Sequence, residues 1–129
     1  ALMLSSCNSY NKILKSTDYD YKYEAAKEYY MMGKYSKAAV LLDELISIMK
    51  GTDKAEESLF MVGMCYYGMG DNETASHYFT TYYNSYPRGV YAEEARFYTG
   101  KSLCVAVRGP RLDQAATVKA IKELQLFLE

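Results

Sequence analysis

The sequence predicts an all-α fold, a superhelix of about three stacked helix-turn-helix repeats. Three observations predict it. The 129 residues include only two Pro and eight Gly, too few breakers for a chain of many short strands. Small and aromatic residues recur at helical spacing, and the pattern returns at an offset of 37 residues, from Ala38 to Ala75 and from Ala55 to Ala92. Gly33, Gly51 and Gly70 punctuate the periodic segments, as glycines do where helices stop. The composition, 50% hydrophobic and 24% charged, is that of one folded domain. Fifteen Lys and Arg against sixteen Asp and Glu give a net charge of −1, without the clustered basic charge that a nucleic-acid partner requires. No stretch reaches the roughly 20 apolar residues needed to span a bilayer.

Taken in order, residues 1–7 end in Leu4-Ser5-Ser6-Cys7. Leu-x-Ser-Cys resembles the lipobox of bacterial lipoproteins, in which the cysteine thiol accepts a lipid. This segment is read as the remnant of a lipoprotein signal, with Cys7 as the attachment residue. Residues 8–18 are polar and lack periodicity, as expected of a tether. Residues 19–129 form the repeat domain, with repeats at about 19–52, 56–89 and 93–129, the last incomplete.

The first repeat carries Ala25, Ala26 and Tyr29, the turn Gly33-Lys34-Tyr35, then Ala38, Leu42 and Leu45. Gly51 ends its second helix, and Asp53 with Glu56 reads as a capping box opening the next one. The second repeat is the clearest. Leu59, Val62, Gly63 and Tyr66 keep the spacing W-x2-L-G-x2-Y with Leu for Trp; Ala75, Phe79 and Pro87 follow. These residues match the tetratricopeptide repeat pattern, whose period is about 34. Gly63 and Ala75 are small so that the paired helices approach closely. In the third repeat Ala92-Glu93-Glu94-Ala95 and Gly100 return at the offset of 37, whereas Ala120, Leu124 and Phe127 arrive at 45. The surplus is assigned to a loop over Val105 to Ala116. The fold class is therefore an all-α tetratricopeptide-repeat superhelix.

A stripe on each first helix is expected to face the concave side: Tyr23, Lys27 and Tyr30, then Phe60, Met64 and Tyr67, then Phe97, Lys101 and Cys104. An aromatic row at repeat spacing suits alternate side chains of an extended peptide; equally, such rings pack as core. Catalytic constellations are missing from the sequence. His77 is the sole histidine, so no H-E-x-x-H pair exists, and neither a G-x-S-x-G elbow nor a P-loop occurs. Glu56-Glu57 and Glu93-Glu94 sit in first turns, where carboxylates complement the helix dipole. Cys65 reads as a small buried hydrophobe. No metal and no cofactor is implied.

Three stretches carry a more specific resemblance: Tyr29 to Ala38, Ser85 to Ala95, and Leu112-Asp113-Gln114 ahead of Ala120-Ile121. With the Leu-x-Ser-Cys segment, they resemble the BamD (YfiO-type) lipoproteins, about the N-terminal half of a typical member. The resemblance implies a lipid-anchored adaptor on the periplasmic face of the outer membrane. Its expected partners are barrel-assembly subunits such as BamA and unfolded outer-membrane proteins. Cys104 to Gly109 departs from the more polar loop of that family. The alternatives are a soluble periplasmic adaptor of the Tol–Pal coordinator type and a generic peptide-binding scaffold.

Overall fold

The computed structural model describes residues 2–107 and 122–127. Its helices are α1 (Leu2–Lys15), α2 (Tyr19–Met31), α3 (Tyr35–Ile48), α4 (Asp53–Gly68), α5 (Asn72–Ser85) and α6 (Ala92–Val107), followed by a helical segment over 122–127. The described residues contain no strand. The all-helical superhelix of paired helices predicted from the pattern is the observed architecture.

Local chemistry sets the boundaries. The Asp18 carboxylate caps α2 through Tyr21 N, and Asp71 caps α5 through Thr74 N, each at 3.1 Å. Gly33, Gly51 and Gly70 all adopt positive φ, 74°, 89° and 82°, a conformation costly for residues with a Cβ. The expected capping box is displaced by one residue. Thr52, not Asp53, is the N-cap of α4, its side chain accepting from Ala55 N. Glu56 is thereby freed for a different bond, described below.

The helices lie in two layers. Side-chain bonds at about one repeat's separation join α2 to α4 (Tyr23 to Glu57, Lys54 to Asp20) and α5 to α3 (Tyr78 Oη to Asp43, 2.9 Å). Tyr83 Oη donates to Glu123 at 2.8 Å, setting the 122–127 segment beside α5. First helices therefore stand beside first helices, and second beside second. Between the layers run two contiguous cores. One is built on Ala26, Leu41, Leu42, Val62 and Cys65, the other on Leu59, Ala75, Phe79, Tyr82 and Ala95. A Cβ on Gly63 would fall 2.7 Å from Phe79 Cε1, and one on Gly100 would fall 2.8 Å from Leu124 Cγ. The second and third repeats thus use one close approach at the same register, despite the different offset of their second helices.

Two expectations are corrected. The stretch 8–18 is not an irregular tether, because α1 runs through residue 15 and packs on the first repeat. Ile13 is buried, Tyr10 and Leu14 are partly buried against the same core, and the Tyr10 ring meets Tyr29 edge-on at 5.6 Å. Lys22, 1% exposed, donates its Nζ to the Leu14 carbonyl and to Glu44, both at 2.9 Å. That ammonium satisfies a carbonyl in the last turn of α1, where helices leave acceptors free and the dipole favours a cation. Secondly, Val105 to Val107 belong to α6; the remainder of the expected loop, and Ala120, lie outside the described residues.

Candidate functional site

The layer formed by α2, α4 and α6 presents the candidate site. Its centre is a groove of about 200 Å³ between α2 and α4, lined by Lys27, Tyr30, Met31, Glu57, Phe60, Met61 and Tyr91. Phe60 forms the floor, stacked on Tyr91 with centroids 4.5 Å apart and planes within 4°.

Tyr91 is held in place by the turn between α5 and α6. Glu56 accepts from Tyr82 Oη at 2.6 Å and from Val90 N at 3.2 Å. Tyr82 Oη in turn accepts from Tyr91 N at 3.0 Å. Gly89 is required at this crossing, because a Cβ there would fall 2.5 Å from both Glu56 Oε1 and Tyr82 Oη. Burial, followed by the hydrogen bond to Glu56, pushes the Tyr82 hydroxyl well above the usual phenol range. It therefore stays protonated and remains a donor.

One edge of the groove is charged. Lys27 Nζ lies 3.3 Å from Glu57, and Glu57 also accepts from the Tyr23 hydroxyl. Burial and that carboxylate raise the Tyr23 hydroxyl above its ordinary range. Of the two carboxylates expected in the first turn, only Glu56 lies there, because α4 begins at Asp53. Glu56 ties α4 to α5 and to the turn that carries Tyr91, and Glu57 ties α4 to α2 across the groove.

Of the stripe read from sequence, Lys27, Tyr30 and Phe60 line this one groove. Tyr23 lies beneath it, 3% exposed, and is packed core rather than contact surface. Tyr67, Phe97 and Lys101 form a second cluster. The Lys101 ammonium sits 5.7 Å from the Tyr67 ring and 5.8 Å from Phe97, and Tyr67 meets Tyr98 edge-on at 5.2 Å. Met64 packs, partly buried, against the second core. Cys104 is half-exposed on α6. Cys65 is buried, and burial pushes its thiol up to about 12, which leaves it protonated and inert at neutral pH. Cys7 lies in the second turn of α1.

Tyr91, Met31, Glu57 and Met61 were missed as groove residues. Met31 follows Tyr30 at the exposed end of α2 and carries no pattern of its own. Tyr91 lies in a connector, where repeat periodicity says nothing. No group of described residues is arranged to hold a metal ion. No helix among them is long and apolar enough to cross a membrane.

The α4–α5 pair that supplies the groove's floor decides the relationship. Residues 57–88 match the tetratricopeptide repeat family model. The match supports a tetratricopeptide-repeat protein and a general role in binding other proteins. No curated protein matches the chain.

Proposed function

We propose that this chain is a non-catalytic adaptor that holds an extended segment of a partner protein along the α2–α4–α6 face, in the service of outer-membrane β-barrel assembly. The observation that carries the adaptor reading is the groove over Phe60. It is open and mostly apolar, its one ion pair is internally neutralised, and it stands one repeat away from a second aromatic cluster around Tyr67 and Phe97. Neighbouring helices stand roughly 8–10 Å apart, and an extended chain advances about 3.3 Å per residue. Side chains on one face of an extended ligand recur every second residue, about 6.6 Å apart, so alternate positions would face the successive clusters.

The barrel-assembly setting draws on the BamD-type resemblance and on Leu-x-Ser-Cys. In this reading Cys7 carries the lipid, the domain faces the periplasm, and the ligands are unfolded barrel proteins or subunits such as BamA. With Tyr10 already packed on Tyr29, the anchor would hold the repeats directly at the bilayer.

The test is a titration of the chain with a fluorescent peptide of alternating apolar residues ending in an aromatic, read by anisotropy. Binding should weaken at least about tenfold, roughly 1.4 kcal/mol, in Tyr30→Ala and in Met31→Glu, both with unchanged helicity. Equal affinity for these variants and the parent would remove the groove from the account. For the setting, intact mass after expression with a native leader decides. An acyl addition at Cys7 supports the lipoprotein, and an unmodified soluble product moves the adaptor to another envelope complex.

A further inference from the structure

α1 has a direction, and that direction selects one edge of the molecule. Its Leu14 carbonyl meets Lys22 near the start of α2, whereas Tyr10 meets Tyr29 near the end of α2. Ser9 shares a groove with Met32 and Lys34. α1 therefore runs antiparallel to α2, and its N-terminal end emerges where α2 turns into α3. Cys7 precedes Tyr10 by three residues, about 4.5 Å of helix, and Met32 follows Tyr29 by three. The backbone of Cys7 thus stands level with Met32.

The same edge collects exposed methionines. Met31 is 82% exposed, Met32 59% and Met69 42%. Met32 and Met69 are the C-cap residues of α2 and α4, one repeat apart, so they mark the Gly33 and Gly70 turns as one row. Lys34, Tyr35 and Lys37 share an open groove with Met69, and the first turn of α3 carries no acidic residue. The opposite edge differs in charge. Every first helix begins there with acid in its first turn: Asp20 on α2, Asp53 and Glu56 on α4, Glu93 and Glu94 on α6.

We infer that the edge bearing Met32, Lys34 and Met69, beside the Met31 end of the groove, is a lipid-contacting edge, which rests on a bilayer surface when the chain is anchored through its N-terminal segment. Methionine is flexible and polarizable, suited to an irregular apolar medium, and lysine stems lie along apolar surface while the ammonium reaches the headgroups. Asp71 and Glu73 at the second turn keep this edge from being strongly basic. The contact is therefore shallow apolar insertion rather than attraction to anionic lipid. In this orientation the α2–α4–α6 face stands upright on the membrane, open to a peptide arriving from the side. The inference rests on the N-terminal anchoring reading, but the test supplies the anchor chemically and does not depend on acylation in a cell.

Cys104→Ser leaves Cys7 as the reactive thiol, because Cys65 is buried with its thiol held protonated. That variant is coupled through Cys7 to maleimide-lipid vesicles containing brominated phospholipid. The chain has no tryptophan, so single reporters are placed at Met69→Trp and, on the opposite edge, at Val90→Trp. Val90 is 81% exposed. The expected result is loss of most Met69→Trp emission with a blue shift, and unchanged Val90→Trp emission. Quenching of both reporters, of neither, or of Val90→Trp alone overturns the assignment. Cell-derived protein lacking a lipid on Cys7 would count against the anchor reading and leave this result standing.

Discussion

Gly63→Ala places two known effects in opposition. In an exposed helix interior the change would stabilise by about 1 kcal/mol, because alanine holds helical backbone better than glycine. At Gly63 the new Cβ would stand 2.7 and 2.8 Å from two ring carbons of Phe79, against an ordinary carbon separation of about 3.5–4.0 Å. The ring must therefore move by about 1 Å, and it has nowhere to go. Phe79 is fully buried, with Phe60 on one side at 5.7 Å and Tyr98 on the other at 5.5 Å. Overpacking of this kind costs about 1–3 kcal/mol, so it exceeds the propensity gain. With the ring enclosed on both sides, the cost falls in the upper part of that range, about 2–3 kcal/mol, for a net loss of about 1–2 kcal/mol in urea unfolding followed by circular dichroism. The first repeat supplies the control, since its equivalent positions are Ala26 and Leu42, both fully buried. Gly63→Ala with Phe79→Leu should therefore lose less than the sum of the two single changes. A Gly63→Ala protein as stable as the parent, or more so, would show that Phe79 yields and that the close approach does not hold the repeat.

Other predictions concern the tyrosines and α1. Burial, partial at Tyr78, followed by the bonds to Asp43 and Glu123, raises the Tyr78 and Tyr83 hydroxyls from about 10 to about 12. A group whose folded value exceeds its unfolded one stabilises fully below the unfolded value and loses that contribution as pH rises through the folded one. Helicity should therefore hold to about pH 10 and fall between about 10 and 12, as the ring signals of Tyr78 and Tyr83 themselves titrate in a site-resolved spectrum; either of these two rings ionising near 10 in the folded chain would contradict its bond. Lys22→Met keeps the buried stem but removes the donor to Leu14 and Glu44. Amide exchange in α1 should accelerate by at least about tenfold while that of α4 and α5 is unchanged; equal protection in the variant would show that Ile13 and Tyr10 alone hold α1.

What was legible in the sequence follows from where the physics is periodic. Leu59, Val62, Gly63, Ala75 and Phe79 are interior positions of two packed helices, so their spacing specified α4, α5 and the approach between them. Gly33, Gly51 and Gly70 were legible because a positive φ selects glycine. α1 was not, because among its described side chains Ile13, with Tyr10 and Leu14 partly, touches the core, too few positions to establish a helical period. Lys22 carries no sequence signal of its own, because its burial comes from the end of α1 and from Glu44. Within the stripe, repeat position placed Tyr23 and Phe60 alike. Their burial differs because Glu57, Lys27 and Lys54 close over Tyr23, while Phe60 faces the open groove. Tyr91 reaches that groove through a connector whose path is set by Glu56 of the preceding helix pair, by Tyr82 of α5 and by Gly89 within the connector itself.

The central claim is that a partner segment lies on the α2–α4–α6 face, and a chemical-shift map of the isotope-labelled chain titrated with the extended peptide tests it most directly. The account predicts shifts at Lys27, Tyr30, Met31, Phe60, Met61 and Tyr91, continuing along the face to Tyr67 and Lys101. Shifts gathered instead on the outer layer, on α3 and α5, with the groove residues unmoved, would contradict it.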